Sequence, residues 1–134
     1  MFLFAKRKCD FDILIIDDEK DFLASMESWF ISHGYSVVAV STSAEAIGVL
    51  KKKMPKVIFL DAVLGQEDNI DTLWQIRQLR PQAPVVMLTS SISEEARLNA
   101  YKLGVNAFFE KTLDFYRAED LINSFVRVAL KRKC

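Results

Sequence analysis

Three acids, a hydroxyl and an amine lie far apart along this chain, yet each follows a short apolar run. Asp17-Asp18 follow residues 11–16, Asp61 follows 57–60, Thr89 follows 85–88, and Lys111 comes shortly after 107–109. If each run is a parallel strand, its polar end sits at the carboxyl edge of the sheet, where open α/β folds place ligands. Three carboxylates in one cleft repel each other, and burial deepens the cost, so either some stay protonated or a cation neutralises them. Oxygen donors without a nearby cysteine or histidine select a hard ion, Mg²⁺ with several waters. Lys111 adds a fixed positive charge and Thr89 a donor. Together with the ion, these are the groups that spread over phosphoryl oxygens as charge develops. A carboxylate can itself be the nucleophile and form an aspartyl phosphate. Asp61 is alone at its strand end, whereas Asp17 and Asp18 are adjacent and suited to the metal. Asp61 is therefore the assigned acceptor.

The intervening segments read as the elements needed to bring those ends together. Phe22, Leu23, Met26 and Phe30 have helical spacing over 19–33, and Gly34 is a stop. A second strand covers 35–40. Ser41-Thr42-Ser43 offers caps for a helix over 44–53. A loop over 65–69 leads to a helix over 70–79, with Leu73 and Trp74 expected inward. Ser93 caps a helix that ends at Gly104, a fifth strand covers 106–109, and a last helix over 115–132 is expected to bury Leu121, Ile122, Phe125 and Ala129. Strand and helix alternating five times predict a parallel sheet with right-handed crossovers. The first and third strands are the most continuously apolar, as burial on both faces requires. The expected fold is therefore a flavodoxin-like doubly wound (βα)5 sandwich with strand order 2-1-3-4-5. The domain is expected over 10–132, with a tail at 1–9 and a short end at 133–134.

The bulk numbers agree. At 134 residues, 51% hydrophobic and 27% charged, the chain suits one domain with one core. Eighteen basic and eighteen acidic residues cancel, so net charge gives no case for a nucleic-acid partner. No run is long enough to span a bilayer, and the start lacks the order of a secretory signal, so a cytoplasmic protein is expected. Cys9 and Cys134 are read as two reduced thiols, although pairing is geometrically conceivable because both ends of this fold lie on one side. His33, the only histidine, suits a helix C-terminus and has no second ligand for a metal. The basic runs 6–8, 51–53 with Lys56, and 131–133 are read as solvated ends opposite the acidic site.

At the acidic pair, the single Asp, the Thr and the Lys, the chain resembles the receiver domain of bacterial response regulators over roughly residues 11–131. The combination is specific, although each element alone is weak. The resemblance implies that Asp17 and Asp18 hold Mg²⁺ with Asp61 and the backbone carbonyl of Val63. It implies that Asp61 takes phosphate from a histidine kinase or phosphotransfer protein, that Lys111 contacts the phosphoryl group, and that Thr89 moves toward it. Phe108 matches the switch aromatic. The readout surface would be the fourth helix, fifth strand and fifth helix, facing a downstream target, an attached output domain or a second copy in a homodimer. No direct nucleic-acid or membrane contact is implied. The domain would be a signalling phosphoacceptor rather than an enzyme.

Several residues depart from that pattern. Thr112 stands where the family usually has proline after a cis bond. A cis bond to a non-proline residue costs about 3 kcal/mol, so a trans bond is expected. Leu64-Gly65 replace the usual Met/Leu-Pro, and Asn69 replaces a later glycine whose left-handed backbone asparagine tolerates. Phe108 lacks the hydroxyl of the frequent tyrosine. These departures give weight to a second class, a phosphorylation-independent interaction module of receiver shape. A phosphatase of the haloacid-dehalogenase type is a third. It wants an acid two residues after the nucleophile, and Asp61-Ala62-Val63 lacks one.

Overall fold

A computed structural model describes residues 9–64, 67–90 and 92–132, with side chains described over 9–63, 69–90 and 92–124. Strands β1 (Phe11–Ile16), β2 (Val37–Val40), β3 (Pro55–Asp61), β4 (Val85–Thr89) and β5 (Ala107–Glu110) alternate with five helices. These are α1 (Lys20–Ser32), α2 (Ser43–Lys52), α3 (Ile70–Leu79), α4 (Glu94–Lys102) and α5 (Phe115–Arg132). The strands form one parallel sheet in the expected order β2-β1-β3-β4-β5.

Period-two alternation divides the core into two layers. Ile13, Ile15, Val57, Phe59, Val86 and Leu88 face α1 and α5, where Met26, Phe30, Phe115, Ala118 and Ile122 close over them. Leu14, Ile16, Ile58, Leu60, Val85 and Met87 face α2, α3 and α4, meeting Ala46, Leu50, Leu73, Ile76 and Ala100. Helices are started and stopped by local chemistry. The Thr42 and Ser93 side chains accept from Glu45 N and Ala96 N at 3.2 and 3.1 Å. Gly34 and Gly104 adopt φ of +92° and +76° just past α1 and α4, a backbone that suits glycine.

Several expectations are corrected. Trp74 is 53% exposed, because α3 buries Thr72, Leu73 and Ile76 and the tryptophan falls just round the helix from them. The segment after Asp61 is not a plain loop: Val63–Leu64 pairs antiparallel with Glu67–Asp68. Cys9 is disulfide-bonded rather than a reduced thiol. Cys134, Lys133 and the run 6–8 lie outside the described residues, as do the side chains of Phe125, Ala129, Lys131 and Arg132. Ile122 is buried, as expected, whereas Leu121 is only half-buried. His33 stacks on Trp29 with ring centroids 3.7 Å apart and pairs through Nδ1 with the Trp29 carbonyl, a local structural role.

Candidate functional site

The sheet register assembles the site. Ile16 of β1 lies opposite Leu60 of β3, so Asp17 and Asp61, next along each segment, emerge as neighbours. Thr89 of β4 lies opposite Glu110 of β5, and the Lys111 N–H donates to the Thr89 carbonyl at 2.9 Å, bringing the lysine to the same edge. A parallel sheet aligns strand ends in this way, which is why residues 22 to 94 positions apart in sequence meet in one crevice.

The Lys111 ammonium is the hub. Its Nζ lies 2.8 Å from Asp17 Oδ2, 2.7 Å from Glu19 Oε1 and 3.1 Å from Asp61 Oδ2. The Asp17 side chain is fully buried, and those of Asp61 and Lys111 are each 6% exposed. The bond from Lys111 to Thr112 is trans, as expected, and the lysine still reaches all three acids. Asp17 Oδ1 accepts from Glu19 N at 2.8 Å, which anchors the entry to α1. Its other oxygen is buried, with the Lys111 ammonium as its partner. Asp61 Oδ1 accepts from Val63 N at 3.2 Å.

Charge is unbalanced here. Carboxylate oxygens of Asp17, Glu19 and Asp61 lie within 4.8 Å of one another, around one ammonium. Burial, and then the charge of Asp17, push the Asp61 carboxyl up to about 6, against the opposing pull of Val63 N–H and Lys111. Burial alone would lower the Lys111 ammonium, but its bonds to Asp17, Glu19 and Asp61 outweigh that and hold it above the ordinary lysine range. Three acids sharing one ammonium leave a surplus of acidic oxygens that suits a hard divalent cation.

The sequence of the response regulator receiver domain family, taken as a profile, matches residues 13–123. The chain belongs to the response regulator receiver domain family. It is 27% identical over 111 residues to the transcriptional regulatory protein ZraR of Salmonella typhimurium, covering 83% of this chain and 25% of that one. It is 29% identical over 120 residues to the alkaline phosphatase synthesis transcriptional regulatory protein PhoP of Bacillus subtilis, covering 90% and 48%. The chain thus spans about a quarter to a half of these relatives' lengths. A two-component response regulator from Clostridium difficile superposes with a TM-score of 0.80 at 25% identity, covering 88% of this chain and 97% of that one.

Within this receiver domain, Asp17, Asp61, Thr89 and Lys111 all reach the carboxyl edge, and Thr89 is 8% exposed. Asp18 is exposed on the turn after β1, and the carboxylate that joins Asp17 and Asp61 is that of Glu19. The run Asp17-Asp18-Glu19 carried that signal, since in a tight turn residues two apart can face the same way. Phe108 is half-buried on the α4 side of β5, with the Arg97 guanidinium 4.5 Å from its ring centroid and Tyr101 edge-on at 5.1 Å. Between β5 and α5 lies a cavity of about 340 Å³ lined by residues that include Phe108, Thr112, Arg117 and Asp120.

Proposed function

We propose that Asp61 accepts a phosphoryl group from a histidine kinase or histidine phosphotransfer protein, with Mg²⁺, and that the change is read on α4, β5 and α5. The observation that carries this reading is the buried Asp17–Lys111–Asp61 arrangement, in which one ammonium serves two buried carboxylates and the acceptor's charge is left under-compensated. Asp17, Asp18, Asp61 and the Val63 carbonyl would hold the ion, with Glu19 as an added oxygen donor. Once bound, the ion supplies positive charge against the phosphoryl oxygens.

The chain's own residues do the rest. An Asp61 oxygen attacks phosphorus while the bond to the donor's histidine nitrogen breaks, and the imidazole leaves. Lys111 then has a phosphoryl oxygen to contact in place of the carboxylate it holds now. Thr89, at the end of β4, supplies a hydroxyl donor, and its movement frees space into which Phe108 turns, breaking the Arg97 and Tyr101 contacts. That rearrangement alters the face offered to a downstream target, an attached output domain or a second copy. The domain, over 10–132, works as a cytoplasmic phosphoacceptor without nucleic-acid contacts of its own. No described helix is long and apolar enough to cross a membrane. Val63, two residues past Asp61, crowds the phosphoryl group without holding a water, so dephosphorylation is slow, with a lifetime well beyond seconds.

The test is labelling with a small phosphodonor in Mg²⁺, paired with two-dimensional NMR before and after beryllofluoride. Wild-type protein is expected to label stoichiometrically, Asp61→Asn not at all, and beryllofluoride to shift resonances from Thr89 to Phe108. Persistent labelling of Asp61→Asn refutes the acceptor. A spectrum indifferent to Mg²⁺ and beryllofluoride would favour the phosphorylation-independent module.

A further inference from the structure

Asn69 stands where the family usually has glycine, and the expected left-handed backbone is absent: its φ is −93° and ψ is 37°. A side chain was therefore not merely tolerated there. Asn69 occupies the N-cap position of α3, where asparagine ordinarily turns its side chain back onto the helix's first N–H groups. Here it makes no such bond. Instead its Nδ2 donates to the Asp61 main-chain carbonyl at 2.9 Å, and its backbone N donates to the Ala62 carbonyl at 2.7 Å. The residue is 6% exposed, so both bonds are shielded from water.

Those two bonds act on the segment that matters most. The Ala62 N–H donates to the Leu88 carbonyl at 2.7 Å, and the Val63 N–H donates to Asp61 Oδ1 at 3.2 Å. With Asn69 in place, both carbonyls and both N–H groups between Asp61 and Val63 have named partners. A glycine at 69 could supply the Ala62 bond from its backbone, but it has no amide for the Asp61 carbonyl. Buried carbonyls seek a donor, and here the donor comes from the N-cap residue of the helix that follows the site.

We propose that Asn69 is a positioning residue, a side-chain clamp that fixes the Asp61–Val63 turn for phosphoryl acceptance. It ties the acceptor's main chain to the start of α3 and gives up its own capping bond to do so. The clamp orients the Asp61 carboxylate through the Val63 N–H bond, and it orients the Val63 carbonyl through the peptide that precedes it. The inference rests on the reading of Asp61 as acceptor. It adds that acceptor geometry in this chain depends on an amide that a glycine-bearing receiver lacks.

Asn69→Ser separates the clamp from the cap. Serine caps α3 with its own hydroxyl but is too short to reach the Asp61 carbonyl. In full-length protein with phosphoramidate as donor, Asn69→Ser is expected to label about tenfold more slowly than wild type, a modest loss for a displaced reacting group. The Mg²⁺ concentration for half-maximal labelling is expected to rise several-fold, while the thermal midpoint stays within about 2 °C. Asn69→Ala should show the same labelling loss. Wild-type labelling rates in both variants overturn the clamp and leave the acceptor standing. A labelling loss with an unmoved Mg²⁺ requirement and a midpoint lowered in step also overturns it, since that is a general structural defect. A wild type that takes no label overturns the acceptor reading and the clamp with it.

Discussion

Two aspartates of this sheet sit beside a lysine at the same 3.1 Å, and they titrate in opposite directions. Asp12, near the amino edge, pairs with Lys56. Asp61, at the carboxyl edge, pairs with Lys111. Partial burial works against the Asp12 charge, but bonds from Ser36 and Lys56 win, and the carboxyl is held below the usual range. Its Oδ2 accepts from Ser36 N at 2.9 Å and Ser36 Oγ at 3.1 Å. Asp61 is more deeply buried, shares its lysine with Asp17 and Glu19, and accepts one backbone N–H, so it moves up to about 6. Lysine distance alone therefore says little about an acid. What separates a structural carboxylate from a reactive one here is how many acids each cation must serve and how much water remains.

The strongest way to break this contrast is to remove each lysine in turn. Lys111→Ala is expected to slow labelling by a small phosphodonor about 100-fold at saturating Mg²⁺, the scale for losing one preorganised charge at a reacting centre. Lys56→Ala should leave the rate within about twofold and cost well under 1 kcal/mol of stability, as exposed ion pairs do. Parallel labelling time courses on the two variants decide the matter. Equal rates would dissolve the distinction between the edges.

The cation deficit itself can be read without any phosphodonor. If the carboxyl edge binds a divalent ion only when folded, Mg²⁺ at 100 times its dissociation constant should add about 2.7 kcal/mol of stability. Urea titrations with Mg²⁺ or with chelator measure that increment. Asp12→Asn should gain as much as wild type from the ion, whereas Asp17→Asn and Asp61→Asn should gain far less. An increment that survives both site substitutions would place the ion elsewhere.

Much of this contrast was legible in the residues. Apolar runs ending in Asp17, Asp61 and Thr89 dictated parallel strands and their shared edge, because period-two burial on both faces leaves only the strand ends for polar chemistry. Gly34, Gly104, Thr42 and Ser93 marked helix ends through backbone freedom and side-chain capping. The misses share a cause. Hydrophobicity points Trp74 inward, yet one step of helix rotation past Leu73 leaves it exposed. Adjacency points to Asp17-Asp18 and gives no sign that the Glu19 carboxylate also lies near Asp17 and Asp61, because that depends on the path of the turn. The type of Asn69 speaks only to its backbone, and the partner of its side chain lies eight residues away across a turn that spacing does not describe. Contacts made by turns and exposed faces depend on three-dimensional direction, which periodicity constrains only weakly.

The smallest effect sharpens the comparison most, because its sign differs between the two edges. Folding raises the Asp61 carboxyl from 3.8 to about 6, so between those values the folded state holds a proton that the unfolded chain releases. Stability contributed by that group is therefore lost as pH rises through the window, and above it the charge is a standing cost. Asp61→Asn removes the cost. In chelator it is expected to be roughly 1–2 kcal/mol more stable than wild type near pH 7.5, a shift of two units discounted for relaxation, and no more stable near pH 4. Asp12 has the opposite sign: its lowered carboxyl stabilises the fold above 3.8, and that contribution fades as pH falls below it. Asp12→Asn should thus lose a few tenths of a kcal/mol at pH 7.5 and nothing in strong acid. Urea midpoints for both variants across pH 2–8 test the pair. If the two difference curves slope the same way, burial and cation sharing do not distinguish the edges, and the carboxyl edge loses its claim to stored electrostatic cost.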